Sequence, residues 1–430
     1  MTRILVRGGR VLDPSAERDA VGDLLLVDGR VAAFGGSLRV DDAFVIDASG
    51  CWVAPGFVDL HSHLREPGQE YKESIGTGGR AAAAGGFTAV ACMANTQPVN
   101  DDPAMTDFIL DRAKQDSPVR VYPVAAATKG LEGVVMTEMV ALVAAGAVAF
   151  SDDGKTIMDS GVMRRVLEYS KLVNAPIITH AEDRTLVAGG VVNEGPVSTR
   201  LGLPGNPAIA EEVLISRDLM LARFTGAHLH VAHVSTRGGI EQIRRAREQG
   251  VHVTSEVSPH HLTLTDAEAL DFDTNAKVAP PLRSAEDRDA CRAALADGTL
   301  DAIATDHAPH ALHEKELDFR EAPPGMIGFE TAVAAVLDLV RNGEISPLEL
   351  VRRLSTNPAR ILRVVGGSLA EAATADVTIV DPARVWIYDP AKGYSKSVNS
   401  PWAGRTMTGR VTHTIVGGQI VYDVERGILI

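Results

Sequence analysis

A (β/α)8 barrel joined to a small β-sandwich built from both chain ends is the fold class that the sequence predicts. Three observations predict it. Short apolar runs alternate with helical stretches through the middle of the 430 residues, strand-like texture with glycine turns fills both ends, and polar metal-ligating side chains follow the central runs. Parallel strands need helical crossovers, eight of them close a barrel, and a barrel carries its reactive groups at the C-terminal strand ends.

The elements justify this in order. Between Ile4 and Val53 the segments ILVRGGRVLD, DLLLVDGRVAAFG and AFVIDASGCWV read as hairpin strands, with DG and GG as turn signals. Eight runs follow: FVDLH at 57, TAVAC at 88, RVYPVA at 120, AVAFS at 147, PIITH at 176, HLHVAH at 228, VHVTS at 251 and DAIAT at 301. Segments such as MRRVLEYSKLV, EEVLISRDLMLARF and GGIEQIRRAREQ separate them with helical periodicity. Strand texture returns in ADVTIVD, GRVTHTIV and GGQIVYD. The expected units are therefore 1–54 and 366–430 for the sandwich and 55–365 for the barrel. An open doubly wound sheet is the competitor, disfavoured because no GxGxxG opens a helix after the first strand.

Composition narrows the function. A net charge of −14 without a basic tract argues against nucleic acid or an anionic membrane surface as partner. The cysteines Cys51, Cys92 and Cys291 are far apart and form no CxxC pair, which fits a reducing cytoplasm. No apolar stretch reaches the roughly 18 residues of a membrane span.

The strand ends carry a ligand set. His61 and His63 close the first strand, and as alternating residues they face one way. The fourth run ends in Asp152 and Asp153, the fifth in His180, the sixth in His233, and the eighth leads to Asp306. Nitrogen and carboxylate ligands without sulfur suit zinc in a hydrolytic site, with manganese or cobalt as alternatives. The set is enough for two ions sharing a bridging carboxylate. His228 and His230 lie inside a strand and read as structural, His260 and His261 as open between lining the pocket and packing, and His252, His313 and His413 as unremarkable. Arg65, just past the HxH pair, offers a planar fork to a substrate carboxylate, and Asn95 adds a donor in the same mouth. The polar segment HAPHALHEKELDFREAPPG after Asp306 reads as a mobile lid or binding loop.

HSHLREPG at 61, MANTQPV at 93, FSDDGK at 150, AHVST at 232, ATDHAPH at 304, PPGMIGFET at 323, STNPARIL at 355 and NSPW at 399 together resemble the bacterial class I dihydroorotases of the amidohydrolase superfamily. The resemblance implies that His61, His63, Asp153 and Asp306 hold one zinc and Asp153, His180 and His233 a second, so that one or two Zn2+ ions, and by expectation two, serve as cofactor. It implies substrate contacts at His63, Arg65, Asn95, His310, Pro324 and Gly325. Ala279 stands where many members have Asn, so contact there would have to come from backbone. The implied reaction is the reversible closure of N-carbamoyl-L-aspartate to dihydroorotate in pyrimidine synthesis, with a metal-activated hydroxide as nucleophile and Asp306 as general acid and base. The partners it implies are this small-molecule substrate, further copies of the chain in a homo-oligomer and, in some relatives, aspartate transcarbamoylase. Two rival readings remain. One is a hydantoinase or dihydropyrimidinase, which would carry a carboxylated lysine on the fourth strand where Asp153 stands. The other is an inactive scaffold for transcarbamoylase, which would have lost ligands that this chain keeps.

Overall fold

The structure is a computed structural model and describes residues 2–429. Its centre is a parallel sheet of eight strands: β1 (Phe57–Ser62), β2 (Phe87–Cys92), β3 (Arg120–Ala125), β4 (Ala149–Ser151), β5 (Ile177–Thr179), β6 (Leu229–Val231), β7 (Val253–Val257) and β8 (Ala302–Ile303). Each strand lies beside its neighbour in sequence, so there is no point at which the order reverses. A doubly wound sheet requires such a reversal; this order is that of a barrel.

Closure comes from polar groups rather than from a long ladder. Asp59 on β1 accepts the backbone N–H of Thr305 at 2.8 Å and its hydroxyl at 2.6 Å. A parallel bridge then pairs Ser62 with His307, and the His63 amide donates to the His307 carbonyl at 2.8 Å. These bonds tie the last strand to the first at the height where the candidate ligands leave the barrel.

Strand pleating explains the near-continuous burial. Ala91 and Ile178 join an inner cluster with Leu60, Val124, Ala149 and Ala302, plugged by Ile361 and Leu362. Their neighbours Val90 and Ile177 instead belong to the large cluster beneath the outer helices. Successive residues point to opposite faces, and both faces are covered.

Both chain ends enter one sheet of nine strands. Trp52–Pro55 is the joint: it runs parallel to Arg3–Asp13 and antiparallel to Val377–Ile387. Leu24, Val53, Val377 and Ile415 share one apolar cluster there, while Val411 and Tyr422 belong to the barrel's own shell. The β-rich domain is thereby packed against the barrel's flank. Among the described residues, no helix is long and apolar enough to cross a membrane.

Candidate active site

The loops beyond β1, β2, β4, β5, β6 and β8 converge on a cavity of about 230 Å3. Its lining includes His63, Arg65, Asn95, Asp153, His180, His233, Ala279, Asp306, His310, Pro324 and Gly325. His61, fully buried, lies beneath it.

On the floor, Asp153 is the hub. Its Oδ1 stands 3.4 Å from His61 Nε2, 3.4 Å from His180 Nδ1 and 3.7 Å from His233 Nε2, while its Oδ2 lies 3.6 Å from His63 Nε2. Asp306 Oδ1 approaches the same two nitrogens of the HxH pair, at 3.2 Å from His63 and 3.7 Å from His61. His180 Nδ1 and His233 Nε2 are 2.9 Å apart. The donor atoms fall into two groups, His61/His63/Asp306 and His61/Asp153/His233, each close enough to hold one ion. Two buried atoms at their junction, His61 Nε2 and Asp153 Oδ1, have no hydrogen-bond partner. Leaving a buried nitrogen and carboxylate oxygen unsatisfied costs free energy that a cation between them would offset, so the donor set fits a metal.

Behind the floor lies a ring of buttresses that the motifs did not reveal. His61 Nδ1 meets Glu256 Oε1 at 2.9 Å, and the other oxygen of Glu256 meets His230 Nε2 at 3.1 Å. His63 Nδ1 meets Asn95 Oδ1 at 2.9 Å, and His180 Nε2 meets Glu182 Oε2 at 2.9 Å. Each partner accepts the proton on the nitrogen turned away from the cavity, which fixes the tautomer and aims the other nitrogen inward. Burial pushes the Glu256 carboxyl up, but hydrogen bonds from His230 and His61 outweigh it and hold the group at about 2. Glu182 is held at about 2 in the same way, chiefly by His180. Asp152 has a different task from its neighbour: it accepts the amides of Ala127 and Thr128 at 2.9 Å each and staples the loop after β3. His230, read from sequence as structural, is the outer brace of Glu256. His260 is buried with Nε2 unpartnered, and burial pushes it down to about 4.

The opposite wall is held by main chain. Arg65 Nε donates to the Pro309 carbonyl at 3.1 Å, and its Nη2 lies 3.4 Å from His310 Nε2. His310 Nε2 is 2.9 Å from the Pro324 carbonyl, which leaves Nδ1 buried and unpartnered. Burial lowers the Arg65 guanidinium only to about 10, so it stays cationic, and burial together with the Arg65 charge lowers His310 to about 2, so it stays neutral. Gly325 needs its glycine: φ is +140°, and a Cβ would stand 2.9 Å from the Ala308 carbonyl oxygen and from His310 Nε2. The segment after Asp306 is anchored, not loose. The buried Lys315 Nζ, which burial pushes down to about 7, donates to the carbonyls of Pro323 at 2.9 Å and Gly325 at 3.1 Å, and Lys72 pairs with Glu314 at 3.0 Å.

Three residues facing the cavity, Arg65, His233 and Asp306, have left-handed backbone, with φ of 61°, 32° and 48°. Such conformations cost of order 1–3 kcal/mol each and cluster at functional sites. Here they turn side chains off the strand ends and into the cavity.

Residues 50–239 match the family model described as Dihydro-orotase-like, and residues 208–421 match that of the Amidohydrolase family. A dihydroorotase of Syntrophus aciditrophicus is 52% identical over 98% of this chain and 100% of its own. The chain belongs to the dihydroorotase family. A dihydroorotase of Anaeromyxobacter dehalogenans is 51% identical over 98% of both chains. Among solved structures, an L-hydantoinase (dihydropyrimidinase) from Arthrobacter aurescens superposes with a TM-score of 0.91 over 100% of this chain and 98% of its own, at 27% identity. The dihydroorotase family thus shares its barrel and sheet-rich terminal domain with the hydantoinases. The amidohydrolase family is metal-dependent, and the two donor groups of this chain agree with that.

Proposed function

We propose that this chain is a zinc-dependent cytoplasmic dihydroorotase, interconverting N-carbamoyl-L-aspartate and dihydroorotate in pyrimidine synthesis. The observation that carries the reading is the pairing of a floor of histidine and aspartate ligands with a cationic, buried Arg65 on the facing wall of one cavity. An amide-hydrolysing site needs the first; a substrate that is itself an acid needs the second.

His61, His63, Asp153 and Asp306 would hold one zinc ion, and Asp153, His180 and His233 a second, with Asp153 between them. Zinc there would supply an acidified water and polarise the amide carbonyl. The remaining work falls to the protein. Arg65, Asn95 and His310 orient the substrate carboxylate, and the backbone at Ala279, Pro324 and Gly325 flanks the ring. Asp306 Oδ1 is 3.2 Å from His63 Nε2 and faces the cavity. Its carboxyl is pushed up by burial but held below the usual range by that bond and by the charges of His61 and His63. It is therefore an anion able to accept a proton from the nucleophile and pass it to the ring nitrogen, and to reverse both transfers in ring closure.

A hydantoinase reading meets two obstacles. Asp153 fills the position at the end of β4, and Lys155 is exposed. The test is hydrolysis of dihydroorotate by the purified chain before chelation, after chelation and after zinc is restored. Metal-dependent turnover supports the proposal. Inactivity with full metal loading would refute it and favour the scaffold reading.

A further inference from the structure

Val377–Ile387 and Thr406–Val416 are antiparallel neighbours in the β-rich sheet, and residues 388–405 connect them. Connections longer than about 12–15 residues are uncommon in compact domains and usually carry function. This one leaves its own sheet for the loops above the barrel and is tied down on the way. The Tyr394 amide donates to Glu330 at 2.8 Å, the Lys396 amide to Glu73 at 3.1 Å, and the Ser397 hydroxyl to the Lys72 carbonyl at 2.7 Å. The strap arrives at NSPW, a motif that supplies no candidate ligand and no member of the described residues lining the cavity.

Asn399, the first residue of that motif, is 2% exposed and engages its whole amide. Its Oδ1 accepts the His310 main-chain N–H at 3.1 Å, and its Nδ2 donates to the carbonyls of Ala308 at 3.1 Å and Gly325 at 3.0 Å. Its main-chain carbonyl accepts the Ile327 amide at 2.9 Å. A short planar group with one acceptor and two donors is the inventory of asparagine: aspartate lacks the donors, and glutamine is a methylene longer.

The two segments joined in this way are those that carry the cavity wall. Gly325 is held on every side. Its carbonyl takes Lys315 Nζ as well as Asn399, and its N–H donates to the Lys277 carbonyl at 2.8 Å. With both carbonyl lone pairs and the N–H in use, the peptide has no polar group free to turn. His310 is fixed from behind by Asn399 and meets the Pro324 carbonyl at the cavity face.

We propose that Asn399 is a positioning residue for the substrate wall: it sets the separation of His310 from Gly325, and so the width of the slot that takes the ring, without touching the ring itself. The identity of that ring rests on the proposed function; the clamp rests on its own geometry. The metal side is braced independently, His61, His63 and His180 by Glu256, Asn95 and Glu182, and the start of the Asp306 segment by Asp59. Loss of the clamp should therefore weaken binding more than chemistry.

Steady-state kinetics and hydrogen–deuterium exchange of the zinc-loaded full chain test the proposal together. Asn399→Ala and Asn399→Asp should each raise KM for dihydroorotate about 10-fold, the scale of one net buried hydrogen bond, with kcat within about threefold. Zinc content after dialysis and circular dichroism should stay native. Asn399→Asp should be at least as impaired as Asn399→Ala, since it fills the same space but turns oxygen toward two carbonyls; a space-filling role would leave it near wild type. In a His310→Ala background, Asn399→Ala should add less than about threefold, because a group that it positions is gone. Exchange reads the clamp without substrate: peptides covering 308–310 and 323–327 should exchange faster in Asn399→Ala, and those covering 177–182 should not. Unchanged exchange in both wall segments, an unchanged KM, a KM rise fully additive with His310→Ala, or a KM rise accompanied by loss of zinc would overturn the proposal. A wild type that leaves dihydroorotate untouched would refute the proposed function instead, and exchange would still decide the clamp.

Discussion

The floor and the facing wall of the cavity are built by different means. The floor side chains leave strand ends, and His61, His63 and His180 are each aimed by a side-chain partner: Glu256, Asn95 and Glu182. The wall side chains Arg65 and His310 lean instead on the carbonyls of Pro309 and Pro324, in a segment anchored by Lys315. Side-chain buttresses fix a nitrogen's direction closely, as metal chemistry requires. Main-chain carbonyls can be re-drawn by loop changes without disturbing the barrel. Under the proposed function, this contrast puts chemistry and substrate choice on separable parts.

Substitutions should separate the two sides. The largest effect falls on the floor: Asp306→Asn should lower kcat by about 100- to 10,000-fold while circular dichroism stays native. Near-normal kcat would remove Asp306 from proton transfer. Glu256→Gln should weaken zinc retention and activity by about 10- to 100-fold, read by metal analysis after dialysis. Unaltered metal content would show that His61 needs no buttress. On the wall, Arg65→Ala should raise KM by about 10- to 100-fold and change kcat less, since a charged hydrogen bond contributes about 1.5–3 kcal/mol. A fall in kcat at constant KM would erase the distinction between the two sides.

A smaller effect concerns pH. His260 and His310 are held at about 4 and about 2, chiefly by burial, against an ordinary 6.5. Folded, they stay neutral; unfolded, they take up protons below 6.5. Their stability contribution is complete above that pH and is lost as pH falls from 6.5 through about 4, at no more than about 1.4 kcal/mol per unit per histidine. Urea midpoints of the metal-free chain should fall between pH 6.5 and 5, and His260→Gln should flatten the fall. An equal slope in that variant would place the effect elsewhere.

The same contrast governs what could be read from the sequence. All eight barrel runs were legible because parallel strands buried on both faces read as continuous apolar segments. The histidines and aspartates at their ends were legible because spacing alone puts His61 and His63 on one side. Partners brought together across the barrel were not: Glu256 is 195 residues from His61. A signal existed, since a glutamate inside the buried run VTSEV demands a partner. Glu182, two residues past His180, repeats the alternation of the HxH pair and was equally readable. The division of labour between Asp152 and Asp153 was not, because it depends on amides of the loop after β3. The anchoring of the segment after Asp306 escaped as well, because its Pro, Gly and charge content describes a loop without showing that Lys315 turns inward.

In the proposed function, the wall selects the acid that the floor then hydrolyses. The most direct test compares kcat/KM for dihydroorotate, dihydrouracil and hydantoin in the zinc-loaded wild type and in Arg65→Ala. The wild type should strongly prefer dihydroorotate, and Arg65→Ala should lose most of that preference because only the charged substrate suffers. Comparable turnover of the uncharged rings by the wild type, or a preference that survives loss of Arg65, would contradict it.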